Sequence, residues 1–350
     1  MDGVLIIDKP AGMTSHDVVA RVRRIIGERR VGHTGTLDPF ATGVLVMLVG
    51  RATRLAQFLS GAEKEYEAVI RLGYATDTGD VTGARLVSSS ARARVISPSP
   101  HAERGAGGEV GDNAQPHPQS LPTRGEGSIP DVAEIAAAMA LLTGEIEQVP
   151  PMYSAKKIAG RKLYEHARRG EEIERQPVRV TISEFELLTQ GEWETNEDGT
   201  VDLSARVVCS AGTYIRTLAE DLGKRLGIGA HLAELRRTLA GRFAIENAVT
   251  LEELEDLGLN EAVKNILITP NNALSHLPDF EVREDDETRL LNGIDLTVEA
   301  ATTGTWADEQ AIRLRNGDEL LAVGFYERGK GVVHPQVVIK QKDAGVNHPS

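Results

Sequence analysis

One acid in this chain stands in a loop suited to presenting it. The stretch from Gly32 to Arg54, GHTGTLDPFATGVLVMLVGRATR, carries Asp38 among glycines and threonines and then enters Val44 to Val49, a continuous apolar run that predicts a buried strand. Pro39 pushes the residue before it out of the right-handed helical region, so Asp38 is expected in a turn, with its carboxylate presented and not packed. Gly32, Gly35 and Gly43 allow sharp bends or close backbone approach. The chemistry open to such a group is that of an ionised carboxylate, attack on a substrate carbon or removal of a proton. The loop lacks the GxxxxGK[ST] spacing of a phosphate cradle. Taken alone it fits at least as well an ordinary turn aspartate bonded to its own backbone.

Other candidates must be brought to Asp38 by the elements around them. In Glu63 to Gly73, EKEYEAVIRLG, the residues Tyr66, Ala68, Ile70 and Leu72 alternate with Glu65, Glu67, Val69 and Arg71, the pattern of a half-buried strand. On that pattern Tyr66 reads as a core tyrosine. Val201 to Cys209 alternates in the same way, and Ile215, Leu218, Ala219, Leu222 and Leu226 then follow at helical spacing. Arg216 falls in the first turn of that helix, where the dipole disfavours a cation by roughly 0.3 to 1 kcal/mol, so it either faces solvent or has an anion for company. Before the Asp38 loop, Val4 to Ile7 predicts a strand, and Thr14 with Asp17 marks the start of a helix whose Val18, Val22 and Ile26 share a face.

Composition narrows the classes. The 350 residues suffice for two domains; 41% are hydrophobic and 26% charged, ordinary values for a globular protein. No stretch approaches the roughly 18 apolar residues of a membrane span, and no basic segment precedes the short apolar run near the N-terminus, so the expectation is an untargeted cytoplasmic protein without a membrane partner. The single cysteine, Cys209, suits a reducing compartment and reads as a small buried hydrophobe, and no His/Cys cluster has zinc spacing. The net charge of −13 would argue against a nucleic-acid partner if it were spread evenly. It is not, because residues 246–310 carry 16 acidic and 3 basic side chains, and the rest of the chain is neutral overall. Residues 1–60 hold 8 basic and 5 acidic side chains and Pro151 to Val180 holds 8 and 4, which leaves basic surface beside the Asp38 loop.

Five segments, in order, resemble the TruB-type tRNA pseudouridine synthases: DKPAGMTSHDVVARVRR, the Asp38 loop through Arg54, KEYEAVIRLG with TDTGD (Thr76 to Asp80), QVPPMYSAKKIAGRKLYEHARRG, and CSAGTYIRTLAEDLG followed by HLAELRRTLAGRF. The match is strong over residues 1–86 and 129–241 and loose afterwards. Two positions depart from the family's pattern: Phe40 stands where it more often has leucine, and Ala211 where it often has lysine, so one phosphate contact is missing. The resemblance implies an α+β fold, with a catalytic domain on a mixed, mainly antiparallel sheet flanked by helices (residues 1–270), a small β-rich RNA-binding domain of the PUA type (271–342) and a tail (343–350). It implies isomerisation of uridine 55 in the tRNA T loop to pseudouridine, with no cofactor and no metal. Asp38 would be the catalytic acid, Arg216 its partner, holding the carboxyl pKa down, and Tyr66 the aromatic face for the flipped base and an aid to proton removal from C5. His33 would wedge into the vacated space, Tyr214 and Leu235 would complete the pocket, and Lys64, Lys9 and Lys157 would contact the substrate. Whether Asp38 attacks the sugar, attacks the base or removes a ribose proton stays open.

The partner implied is the T arm of tRNA, bound by a monomer without a guide RNA. Two other readings stand beside this one, a non-catalytic tRNA-binding or folding protein on the same scaffold and a guide-RNA-dependent relative. Residues 88–128, rich in Ser, Pro, Gly, Arg and His, are too poor in apolar residues to repay the entropy of ordering and are expected to be a disordered insertion. A helix is expected over Asp131 to Gly144 and a basic one from about Gly160 to Arg169, ending at Gly170. Thr250 and Glu253 read as a capping box opening an acidic helix. Strands at Ala311 to Leu314, Leu320 to Phe325 and Val332 to Lys340 are expected near the C-terminus.

Overall fold

The structure is a computed structural model that describes residues 1–86, 129–154, 156–158, 161–163, 166, 169, 171, 173–188, 193, 195–258, 261–298 and 306–340, with the backbone alone at 157, 158, 162 and 261. The expected insertion at 88–128 lies outside the described residues, as does the tail.

Residues 3–244 build one large sheet. Its strands are β1 (Gly3–Lys9), β2 (Val31–Thr34), β3 (Thr42–Val49), β4 (Lys64–Leu72) and β5 (Gly144–Gln148). A small separate hairpin, β6 (Lys157–Ile158) with β7 (Arg161–Lys162), precedes β8 (Val178–Leu187), β9 (Val201–Cys209), β10 (Ala230–Ala240) and β11 (Phe243–Ala244), which return to the large sheet. The path is β1-β3-β10-β4-β9-β8-β5, antiparallel except where β10 runs parallel to β3. Three helices serve the site: α1 (Ser15–Ile26), α2 (Val132–Ala140) and α3 (Ile215–Leu226).

Each element follows from its residues. β3 is apolar from Val44 to Val49 because both its faces are covered there: Val44, Val46 and Leu48 pack in one cluster, and Leu45, Met47 and Val49 in another with Val18, Val22 and Ile26 of α1. The alternating residues of β4 and β9 give a third cluster, closed by Ile215, Leu218, Ala219 and Leu222 of α3. Capping boxes form at Thr14/Asp17, Asp131/Glu134 and Thr250/Glu253.

Two expected helices differ. The helix from Asp131 stops at Ala140, and Gly144, with φ 95°, opens β5 where a helix end was expected. Arg161 and Lys162, expected inside a basic helix, pair as antiparallel strand with Ile158 and Lys157.

β2 and β10 share one edge of β3, β2 along residues 46–49 and β10 at residues 42 and 43. The Asp38 loop rises where they part. Gly43 makes the junction possible: at φ 98°, a Cβ there would lie 2.2 Å from the carbonyl oxygen of Arg237.

A second sheet of five strands follows, with β12 (Asp279–Glu281), β13 (Leu296–Thr297), β14 (Ala311–Asn316), β15 (Glu319–Glu327) and β16 (Val332–Val338) in the order β12-β14-β15-β16-β13. It includes the three strands expected from the sequence. Its Leu320, Val323 and Ile339 join Val4, Ile6 and Val46 in one apolar cluster, so the two sheets are packed through a common core. Its basic side chains are largely engaged at home. Arg315 pairs with Asp279 at 2.6 Å and with Glu281, Arg313 with Asp279 at 3.3 Å, and Lys340 with Glu287 and Glu319 at 2.8 and 3.0 Å.

Gly43→Ala is expected to lower stability by about 3 kcal/mol or more, the scale of a strained backbone that must also move a neighbouring strand. Urea denaturation measures it, and an unchanged midpoint would show that β3 and β10 can separate freely.

Candidate active site

Arg216 stands second in α3, and Tyr214 at the N-cap offers no side-chain cap to the helix. The guanidinium is 4% exposed, so every donor must find an acceptor. Nε and Nη2 fork onto the two oxygens of Asp38 at 2.9 and 3.2 Å. Nη2 also donates to the carbonyl of Tyr153 at 2.7 Å, and Nη1 donates to that of Thr78 at 3.0 Å and lies 3.6 Å from Oδ2 of Asp80. A cation at the positive end of a helix is thus held by two carboxylates and two carbonyls. Asp80 is itself fixed in the Thr76–Asp80 turn, where Oδ1 accepts from the Thr78 hydroxyl and the Thr82 amide, both at 2.9 Å, and from the Thr82 hydroxyl at 2.5 Å.

The pair corrects one expectation. Arg216 does pull the Asp38 carboxyl down, but burial is the larger influence and Asp80 adds repulsion, so the carboxyl lies above its ordinary value. The expected lowering counted Arg216 and left out partial desolvation of the carboxyl and the second acid beside it.

The first motif holds the loop from beneath. Lys9 has no exposed surface; its Nζ donates to the carbonyls of Ala41, Pro10 and Pro39 at 2.7, 2.8 and 3.2 Å. Burial pushes it down to about 8, with Asp38 opposing. Lys9 was expected at the substrate, and the structure instead closes the loop over it: its donors are spent on Pro10 beside it and on Pro39 and Ala41 just past Asp38. Ser15 exchanges hydrogen bonds with Leu37, its hydroxyl accepting from the amide at 3.0 Å and donating to the carbonyl at 3.1 Å.

Above the pair opens a cleft of about 270 Å³. Asp38, Tyr66, Tyr214, Arg216, Leu235 and Lys64 all line it, six of the nine residues singled out from the sequence. Burial raises the phenols of Tyr66 and Tyr214. Lys64 is buried, its Nζ bonded to the carbonyls of Ser60 at 2.7 Å and of Ala62, and burial lowers it. His33 lies on β2, edge-on to His16 with ring centroids 5.5 Å apart, and is not on the cleft wall. The side chain of Lys157 lies outside the described residues; its neighbour Lys156 lines the cleft, as does Ala211.

Sequence reasoning passed over Asp80, read only as part of a turn, and Arg237. The second had a signal: it follows Leu235 by two on a strand, which places both side chains on one face. Among the described residues, no group of three or more His, Cys, Asp or Glu side chains is arranged to hold a metal ion, and no helix is long and apolar enough to cross a membrane.

Residues 23–99 and 121–215 match the family described as TruB family pseudouridylate synthase (N terminal domain), and residues 216–274 match the tRNA pseudouridylate synthase B C-terminal domain. The chain is 45% identical to a tRNA pseudouridine synthase B of Geobacillus thermodenitrificans over 84% of this chain and 85% of that protein. It is 42% identical to one of Bacillus thuringiensis, over 87% of each. Among solved structures it resembles a Cbf5-Nop10-Gar1 complex chain (TM-score 0.66, 25% identity, 97% of this chain and 86% of that one). It also resembles a chain of the archaeal box H/ACA sRNP Nop10-Cbf5 complex (TM-score 0.64, 26% identity, 97% and 87%).

Because the Asp38 proton is held more tightly in the fold than in the unfolded chain, the stabilisation it gives is full below the unfolded pKa and is lost as pH rises through the folded value. Asp38→Asn, which cannot ionise but leaves Arg216 without its carboxylate, is expected to melt below the wild type, and the gap should narrow as pH rises through the Asp38 titration, because only the wild type loses stability there. Calorimetry over that range checks the sign, and a gap that widens as pH rises would mean that the Arg216 pair outweighs burial.

Proposed function

The chain belongs to the TruB family of pseudouridylate synthases, and from that premise we propose that it converts uridine 55 in the T loop of tRNA to pseudouridine, as a cytoplasmic monomer needing no guide RNA. Its reaction is the isomerisation of a uridine in tRNA: the glycosidic bond breaks, the base turns over, and a carbon–carbon bond joins C5 to the sugar. The observation that carries the proposal is the Arg216 fork on Asp38 at the floor of a cleft walled by Tyr66, Tyr214 and Leu235.

The residues take these parts. A uridine inside a folded loop must leave its stack before Asp38 can reach it, and a flipped base is received on aromatic and apolar faces, here Tyr66 with Tyr214 and Leu235. His33, outside the cleft on β2, would occupy the space the base leaves. Attack on the sugar, attack on the base and removal of a ribose proton all require Asp38 ionised. Arg216 favours that state and aims the carboxylate, and burial of the pair keeps competing water away. Tyr66 takes the proton from C5 in the last step. Lys157 adds positive charge beside the backbone of the bound loop, and phosphate contacts of this kind position RNA without reading its sequence. Lys64, expected to contact the substrate, serves instead by holding the cleft wall through the carbonyls of Ser60 and Ala62. Lys9 serves by shaping the Asp38 loop. The second sheet, taken with residues 271–342, is the PUA-like part of the chain.

A guide-dependent reading has one observation in its favour, the likeness to H/ACA particle chains. At 25 and 26% identity that likeness is much more distant than the 42 to 45% shared with tRNA pseudouridine synthase B proteins. The test is tritium release from C5-labelled uridine in an unmodified tRNA transcript, with purified protein and no guide or partner. Wild type is expected to release label at position 55, and Asp38→Asn, at equal tRNA binding, to release none. A wild type that binds tRNA and releases nothing would leave a binding or guide-dependent protein. Release by both would remove Asp38 from the chemistry.

A further inference from the structure

Arg237 lines the same cleft, is 1% exposed, and has no part in the reaction so far. A guanidinium cannot shed its charge in a protein, so burying one without a counter-ion needs a reason. Among the described residues, the hydrogen-bond acceptors of Arg237 are two carbonyls, with no carboxylate. Nε donates to Val44 at 2.7 Å and Nη2 donates to Gly35 at 3.0 Å, while burial raises the Tyr66 phenol and the guanidinium charge beside it pulls it down.

The sheet register enforces this. Arg237 on β10 stands opposite Tyr66 on β4 and opposite Gly43 on β3, so one side chain spans from the aromatic wall to the foot of the Asp38 loop. The Gly35 backbone, at φ 74°, leaves room for it, since a Cβ there would lie 3.3 Å from Nη1. A guanidinium only donates, so the Tyr66 oxygen on the same cleft wall can meet it only as an acceptor, with or without its own proton.

We propose that Arg237 is the positioning residue for Tyr66: it holds the phenol oxygen toward the cleft and carries the negative charge that oxygen bears when it removes the C5 proton. The inference rests on the pseudouridine-forming reading above. In the step concerned, C5 carries both its new bond to the sugar and its original hydrogen. The Tyr66 oxygen, having given its own proton to water, takes the C5 hydrogen as a proton. The C–H electron pair becomes the C5–C6 double bond, the C6–N1 pair returns to N1, and N1 takes a proton from water. A hydrogen bond from a cation strengthens as its acceptor becomes an anion, so the support falls on this step.

Arg237→Lys keeps the charge and loses the three-way reach. With C5-protiated and C5-deuterated tRNA transcripts under single turnover, it is expected to slow product formation on the order of 10- to 100-fold, the worth of one hydrogen bond to a charged group. The C5 isotope effect should rise above that of wild type at unchanged tRNA affinity. A wild-type rate, or a slower one with the wild-type isotope effect, would overturn the proposal, since a purely structural role slows every step alike. Should the lysine variant not fold, Tyr66→Phe removes the hydroxyl alone: the guanidinium 15N spectrum must then change in one protected arginine signal, and an unchanged spectrum overturns the proposal. Failure here, with wild type releasing tritium and Asp38→Asn not, would leave the enzymatic reading intact. No release by wild type would fail that reading first.

Discussion

The site depends on a buried ion pair that neither partner could hold alone. Asp38 is driven toward its neutral form by lost hydration, and Arg216 sits where a helix dipole repels it. Leaving either charge buried without the other would cost several kcal/mol, so much of the surrounding structure consists of groups that make the pair tolerable. Two carbonyls and a second carboxylate complete the guanidinium, and they come from two further parts of the chain: Thr78 and Asp80 from the turn after β4, Tyr153 from the segment after β5. The pair therefore forms only after strands far apart in sequence have met.

The other cations beneath the cleft follow one rule. Lys9, Lys64 and Arg237 are all buried and all satisfied by backbone carbonyls. They act as fasteners for loops, turning a glycine-rich segment into a fixed platform without bringing further carboxylates to compete with Asp38. The parting of β2 and β10 along β3 supplies the gap this platform fills, and Gly43 is the residue whose missing side chain lets the two backbones approach.

Much of this was legible beforehand. The strands and α3 follow from alternation and helical spacing, and the dipole argument asked Arg216 for an anion before Asp38 was known to be near. What escaped had physical causes. Lys9 was expected to reach the substrate, since lysine is rarely buried, and only the carbonyls of Pro10, Pro39 and Ala41 around it explain the exception. Asp80 looked like a turn residue, and it is one; its second duty arises from Arg216, 136 positions later in the chain. The direction of the Asp38 shift needed the depth of the cleft, which no pattern of residue types supplies. The helix after Asp131 ended early because Gly144 was required to open β5.

The charge pairing in the second sheet bears on how the protein would respond to ionic strength. Binding to a polyanion gains from the release of condensed counterions only in proportion to the cationic groups free to replace them. Arg313, Arg315 and Lys340 are already held by Asp279, Glu281, Glu287 and Glu319, so they have little charge to lend to a phosphate. The thermodynamic salt exponent for tRNA would then count the basic groups of the first sheet and its loops alone. With 13 acidic and 8 basic side chains over residues 271–342, the second module would contribute exclusion more than attraction, discouraging RNA from settling anywhere but at the cleft.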